Sequence, residues 1–111
     1  MAVSYKVLGQ VQPAANTLTA GYTVPASTEA VISSIMVSNL GAASTTYRLC
    51  VRKDGAAAVS GDEKFIAYDL TIPALDTLIM TVGLTLNAAD VLSVESYSGL
   101  VNFNIFGSEI A

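Results

Sequence analysis

The acidic pair Asp62-Glu63, with Asp54 a short way upstream, is the densest group of chemically capable side chains in this 111-residue chain. Paired carboxylates can act as general acid and base when burial or repulsion drives their pKa values apart. Here the two are neighbours in a stretch, Asp54 to Lys64, that has no periodicity and offers no apolar wall. They point apart and read as a solvated charge pair. Together with Asp54 they have oxygen ligands of the kind calcium wants, but the spacing of an EF-hand loop is absent. Cys50 is the single cysteine, so no intrachain disulfide can form. Arg48 and Arg52 flank it at strand spacing, and such cations lower a thiol pKa. A cysteine nucleophile still needs a base, and the sequence contains no histidine. That one absence removes Ser-His-Asp and Cys-His arrangements and any imidazole metal site. The eight glycines are dispersed and make no phosphate-cradling loop. The expectation is a non-enzymatic protein with no catalytic residue, no cofactor and no metal.

The elements that carry these side chains are strands. From Asp76 to Leu86, Leu78, Met80, Val82, Leu84 and Leu86 alternate with Thr77, Ile79, Thr81, Gly83 and Thr85. Period two sends successive side chains to opposite faces, here one aliphatic and one mostly threonine. This stretch is read as the central strand, with the remaining segments as its cover. Gly83 inside it implies a bulge or a close backbone approach. Extended runs are expected at Tyr5–Val11, Thr17–Val24, Glu29–Asn39, Thr46–Lys53, Phe65–Ile72, Val91–Tyr97 and Leu100–Phe106, punctuated by Pro13, Pro25, Pro73 and Ser98-Gly99. Glu29–Asn39 is apolar on both phases, with Val31, Ile35 and Val37 on one and Ala30, Ile32 and Met36 on the other. It reads as a strand covered once by the core and once by a partner. In Phe65–Ile72, Ile66, Tyr68, Leu70 and Ile72 share a phase. No helix is convincing and no repeat is evident. The sum is an all-β single domain over residues 1–111, an antiparallel β-sandwich or jelly roll of about eight strands, with residues 1–12 an arm or an edge strand.

Composition narrows the partners. Hydrophobic residues make up 52% of the chain and charged residues only 13%, about half the roughly 25% usual in soluble domains. So little charge leaves too much neutral surface for a solitary small domain, which favours oligomerisation or docking on a larger body. The net charge of −4, with five basic residues that form only one local cluster, argues against nucleic acid, whose binding requires rows of Lys and Arg. It also argues against a membrane surface. No apolar run reaches the roughly 20 residues that cross a bilayer, and the N-terminus lacks a signal peptide's pattern. The chain is expected to be made in the cytoplasm. The eight aromatic residues fall one or two to a strand and read as core and rim, not as a stacking platform for bases or sugars.

Five stretches carry a resemblance: LGQVQPAANTLTAGYTVPAS (Leu8–Ser27), AVISSIMVSN (Ala30–Asn39), TTYRLCVRKDG (Thr45–Gly55), FIAYDLTIPALDTLIMTVGLTL (Phe65–Leu86) and VNFNIFGSEI (Val101–Ile110). Over nearly its full length the chain resembles small virion structural proteins of tailed bacteriophages, notably those of cyanobacteria and other aquatic bacteria. The resemblance implies a many-copy building block of the virion with no catalytic site to transfer. A decoration or cement protein, as a homotrimer bound to the major capsid protein on the outer capsid surface, is the first expectation. A tail, neck or fibre component, with host-surface or glycan binding, is the alternative. The expected contact residues are Val3, Tyr5 and Val7 on the N-terminal segment, Ile32 and Met36 on an outward strand face, and Asp62 and Glu63 in the Asp54–Lys64 loop.

Overall fold

The computed structural model describes residues 2–55 and 64–111. Among them the chain forms eight strands: β1 (Val3–Val11), β2 (Thr19–Thr23), β3 (Glu29–Asn39), β4 (Thr45–Arg52), β5 (Lys64–Ile72), β6 (Thr77–Leu86), β7 (Val91–Ser96) and β8 (Val101–Ile110). A single 3-10 turn, Lys53–Gly55, follows β4, and no α-helix occurs among the described residues. One sheet has the order β1-β8-β3-β6 and the other β2-β7-β4-β5. Every pairing is antiparallel. The chain crosses between sheets at almost every turn, so apart from β4 and β5 the neighbouring strands are distant in sequence. This order is that of the jelly roll, a sandwich made of two Greek keys.

Between the sheets, Ile32, Ile35, Val37, Val101, Phe103 and Ile105 of the first meet Tyr47, Leu49, Ile72, Leu92 and Val94 of the second, all 2% exposed or less. The Tyr47 and Phe103 rings cross edge to face at 6.1 Å, the arrangement aromatic quadrupoles favour. β3 and β8 form the middle of the first sheet, and β4 and β7 the middle of the second. The Asp76–Leu86 stretch therefore lies elsewhere than expected. Its alternation is intact, but β6 is an edge strand, and Leu78, Met80, Val82 and Leu84 are only half-buried. Alternation reports that one face is covered; it does not report where in the sheet a strand sits.

Bulges account for the other departures. In β3 the register against β8 slips at Ser33, which reverses the side-chain phase. Ala30 and Ile32 before the bulge and Ile35 and Val37 after it consequently all face the core, each fully buried. Ile32 is thus a core residue and not part of an outward face. Gly83 has φ +99° where β6 slips against β3, a geometry that suits glycine. β5 slips twice against β4, and Asp69 takes φ +52°. Of the four residues expected to share a phase, only Ile72 is buried, joined by Ala67; Ile66, Tyr68 and Leu70 are exposed. Gly107, on β8 opposite the β3 bulge, lies so close to β3 that a Cβ there would run into the Val31 carbonyl oxygen.

Buried polar residues tie each end. At one end the Asn39 side-chain nitrogen lies 3.0 Å from the Ala43 carbonyl oxygen, 3.1 Å from that of Pro73 and 3.3 Å from that of Ile72. Its oxygen accepts the Gly41 N–H at 2.9 Å. At the other end the Asp90 carboxylate accepts the backbone N–H groups of Asp54 and Asn87, each at 2.9 Å. Burial opposes charge on Asp90, yet these two donors and the nearby Lys53 ammonium hold its carboxyl below the usual carboxylate range.

Candidate functional site

The outward face of the first sheet is assembled by register. Because Phe103 and Ile105 point inward, Asn102, Asn104, Phe106, Ser108 and Ile110 point outward, and directly opposed residues of an antiparallel pair share a face. Successive rows across the sheet read Val3, Ile110 and Glu29; then Tyr5, Ser108, Val31 and Thr85; then Val7, Phe106, Ser34 and Thr81; then Gln10, Asn104, Met36 and Ile79; and finally Asn102, Ser38 and Thr77. Glu29 is the one charged residue in these rows. Tyr5 is 84% exposed and Ile79 69%, and Val3 and Val7 are also exposed. The polar members satisfy one another sideways: Gln10 Nε2 donates to Asn104 Oδ1 at 2.9 Å, and the Ser38 and Thr77 hydroxyls lie 3.1 Å apart. The result is a four-stranded surface of neutral side chains running from β1 to β6.

The outward face of the second sheet has the opposite character. Arg48 on β4 donates from Nε to Asp69 Oδ1 at 2.6 Å and from a terminal nitrogen to Oδ2 at 3.2 Å. A second terminal nitrogen lies 3.9 Å from Glu95. Its guanidinium carbon sits 4.1 Å from the centre of the Tyr68 ring, within cation–π range. The hydrogen bond from Arg48 holds the Asp69 carboxyl below its ordinary range. Arg52 donates from Nε to Ser93 Oγ at 2.9 Å. Cys50 is fully buried within this charged face, registered between Phe65 and Ser93, so its thiol is closed to a substrate.

A third polar group joins the two sheets near the chain termini. Tyr22 on β2 donates its hydroxyl to Glu109 Oε2 at 2.6 Å, and Lys6 Nζ lies 2.6 Å from Glu109 Oε1. Lys6 first, then Tyr22, holds the Glu109 carboxyl below its usual range. Burial, with Glu109 beside it, pushes the Tyr22 phenol well above its own. With the Tyr22 hydroxyl and both Glu109 oxygens engaged in this way, the group has the geometry of a clasp between sheets.

Of the residues read from sequence as contacts, Val3, Tyr5, Val7 and Met36 come together on the outward face of the first sheet, Met36 half-buried. Ile32 does not join them. Asp62 and Glu63 lie outside the described residues. Among the described residues no three His, Cys, Asp or Glu side chains group closely enough to hold a metal, and no helix is long and apolar enough to cross a membrane. The sequence reading missed Val31, Ile79, Phe106 and Ile110 on the same face. Ile79 had been legible as the single large aliphatic among the threonines of β6; Val31 was hidden because the Ser33 bulge exchanged the two faces of β3.

No family model matches the chain, and no curated protein matches it. Among solved structures, the chain is similar to a pentameric capsid protein isolated from metagenomic phage sequences, at 17% identity and a TM-score of 0.36, over 96% of this chain and 67% of that one.

Proposed function

We propose that this chain is a non-enzymatic structural protein of a bacteriophage virion that associates with further copies of itself through the outward face of its first sheet. The neutral surface from Tyr5 to Ile79 carries the reading. Copies of a chain with net charge −4 repel one another wherever their charges face, and this face brings almost none. Its extent suits the task. Four strands at roughly 4.8 Å spacing and about nine residues at roughly 3.3 Å rise cover about 600 Å2 in projection. A standard interface takes about 800 Å2 from each partner, so the face and its β1 and β6 edges together are of the right size. Burying Val3, Tyr5, Val7, Phe106 and Ile79 would supply the apolar centre such contacts need.

Within the virion we favour a decoration or cement role: a homotrimer with the neutral faces turned toward its three-fold axis, bound on the outer capsid surface to the major capsid protein. The sequence resemblance and the sandwich supply the support for this finer reading. Cryo-electron microscopy of a particle carrying the protein tests it. Regular knobs at three-fold or quasi-three-fold positions of the capsid are expected. Density confined to the tail, neck or fibres would overturn the cement role and leave an appendage role in its place.

A further inference from the structure

We propose that Tyr97, at the start of the β7–β8 turn, is the platform of a binding site for a neutral saccharide. The Tyr97 ring is 68% exposed, yet its backbone is fixed, because its N–H donates to the Thr46 carbonyl oxygen at 3.0 Å. Two hollows share this residue as a wall. The larger, about 380 Å3, is mostly apolar and is bounded by Ala42, Ala43, Leu100 and Thr45; its size falls within the roughly 300–1,000 Å3 of small-molecule sites. The smaller, about 120 Å3, is polar and is bounded by Asn16, Thr46, Asp69 and Glu95. An aromatic plate with aliphatic surface on one side and amide, hydroxyl and carboxylate groups on the other matches a sugar ring, which has a C–H face and a rim of hydroxyls. Tyrosine offers such contact area at small entropic loss.

Charge selects a neutral ligand. Arg48 is the one cation among the residues bounding the polar hollow, and it is already held by Asp69 through two hydrogen bonds and approached by Glu95. Two carboxylates against one engaged guanidinium repel an acidic sugar. Thr45, which bounds the larger hollow, carries a buried Oγ1 without a hydrogen-bond partner. It is the one such side-chain atom among the described residues. Both hollows lie away from the outward face of the first sheet, so the site stays open when copies associate there, and its test is independent of that association.

The full chain is applied to an array of neutral glucose-, galactose- and mannose-based oligosaccharides with sialylated controls, and the best neutral binder is titrated into isotopically labelled protein by NMR. The expected result is millimolar or tighter binding, with amide shifts centred on Thr45, Thr46 and Tyr97. Tyr97→Ala, which removes an exposed ring, should weaken binding at least tenfold with the β-sheet circular dichroism unchanged. Tyr5→Ala on the far face should leave it as it was. No neutral oligosaccharide bound at millimolar concentration, binding that survives Tyr97→Ala, or preference for the sialylated controls would each overturn the proposal.

Discussion

The two outward faces of this sandwich are built on the same backbone plan and differ in what their outward phase carries. On the first sheet that phase is Val, Tyr, Phe, Met, Ile, Thr, Ser and Asn, with Glu29 the one charge at a margin. On the second it holds Arg48, Arg52, Asp69 and Glu95, engaged in ion pairs and hydrogen bonds within the chain, with the exposed rings of Phe65 and Tyr68 beside Arg48. A charged face that satisfies itself remains content in water. A neutral, partly apolar one lowers its free energy by being covered. The contrast teaches that the low overall charge of the chain is concentrated as an absence on one side, which is where a second copy can approach.

The largest expected effect comes from damaging what both faces stand on. Phe103 is fully buried at the centre of the core and meets Tyr47 edge to face. Phe103→Ala should cost about 3–5 kcal/mol, seen as a large fall in the urea unfolding midpoint, and should disable both faces alike. Next is Asn39, 2% exposed, whose side chain holds together the β3–β4 and β5–β6 turns. Asn39→Ala leaves buried carbonyls and an N–H unpaired, at roughly 1–3 kcal/mol. It should loosen the loop end while leaving the neutral face assembled, as hydrogen exchange of Gly41 and Leu75 would report.

A smaller effect distinguishes the clasp between sheets from the surface pairs. Glu109 has its pKa lowered in the fold by Lys6 and Tyr22, so its contribution is fully present above the ordinary carboxylate pKa of roughly 4. That contribution is lost as pH falls through the lowered folded value. Urea midpoints measured from pH 7 down to pH 2.5 should decline on the acid side. Glu109→Gln should lower the pH 7 midpoint and flatten the decline; part of the slope should persist, because Asp69 and Asp90 are shifted in the same direction. Smallest of all is Arg48→Gln, on the solvated face. Pairs of this kind contribute little to stability, so the unfolding midpoint should barely move and the oligomeric mass not at all.

Much of this was legible in sequence. The alternation of β6 and β8 was plain, and the prolines and Ser98-Gly99 bounded the strands. Less legible was anything that depends on a bulge. One inserted residue at Ser33 moves Ile32 from the expected outer face into the core, and two slips in β5 leave Ile66, Tyr68 and Leu70 in solvent. Nothing in the local pattern of β3 marks Ser33 as extra; the bulge shows only in the register against β8. Position within a sheet was hidden for a related reason. The Asp76–Leu86 run has the cleanest alternation in the chain and occupies an edge, because cross-sheet topology is fixed by contacts far apart in sequence. The neutral face itself was half legible: Val3, Tyr5, Val7 and Met36 were read as contacts, but the register is what joins Phe106, Val31 and Ile79 to them.

The most direct test of the assembly face is the solution mass of the wild-type chain beside that of Tyr5→Lys/Ile79→Lys, measured by light scattering after size exclusion at the same concentration and ionic strength. Both substituted side chains are largely exposed, so the fold should persist and β-sheet circular dichroism should match. The account predicts a wild-type oligomer, with three copies expected, and a monomeric variant. A wild-type monomer, or a variant that keeps the oligomeric mass, would contradict it.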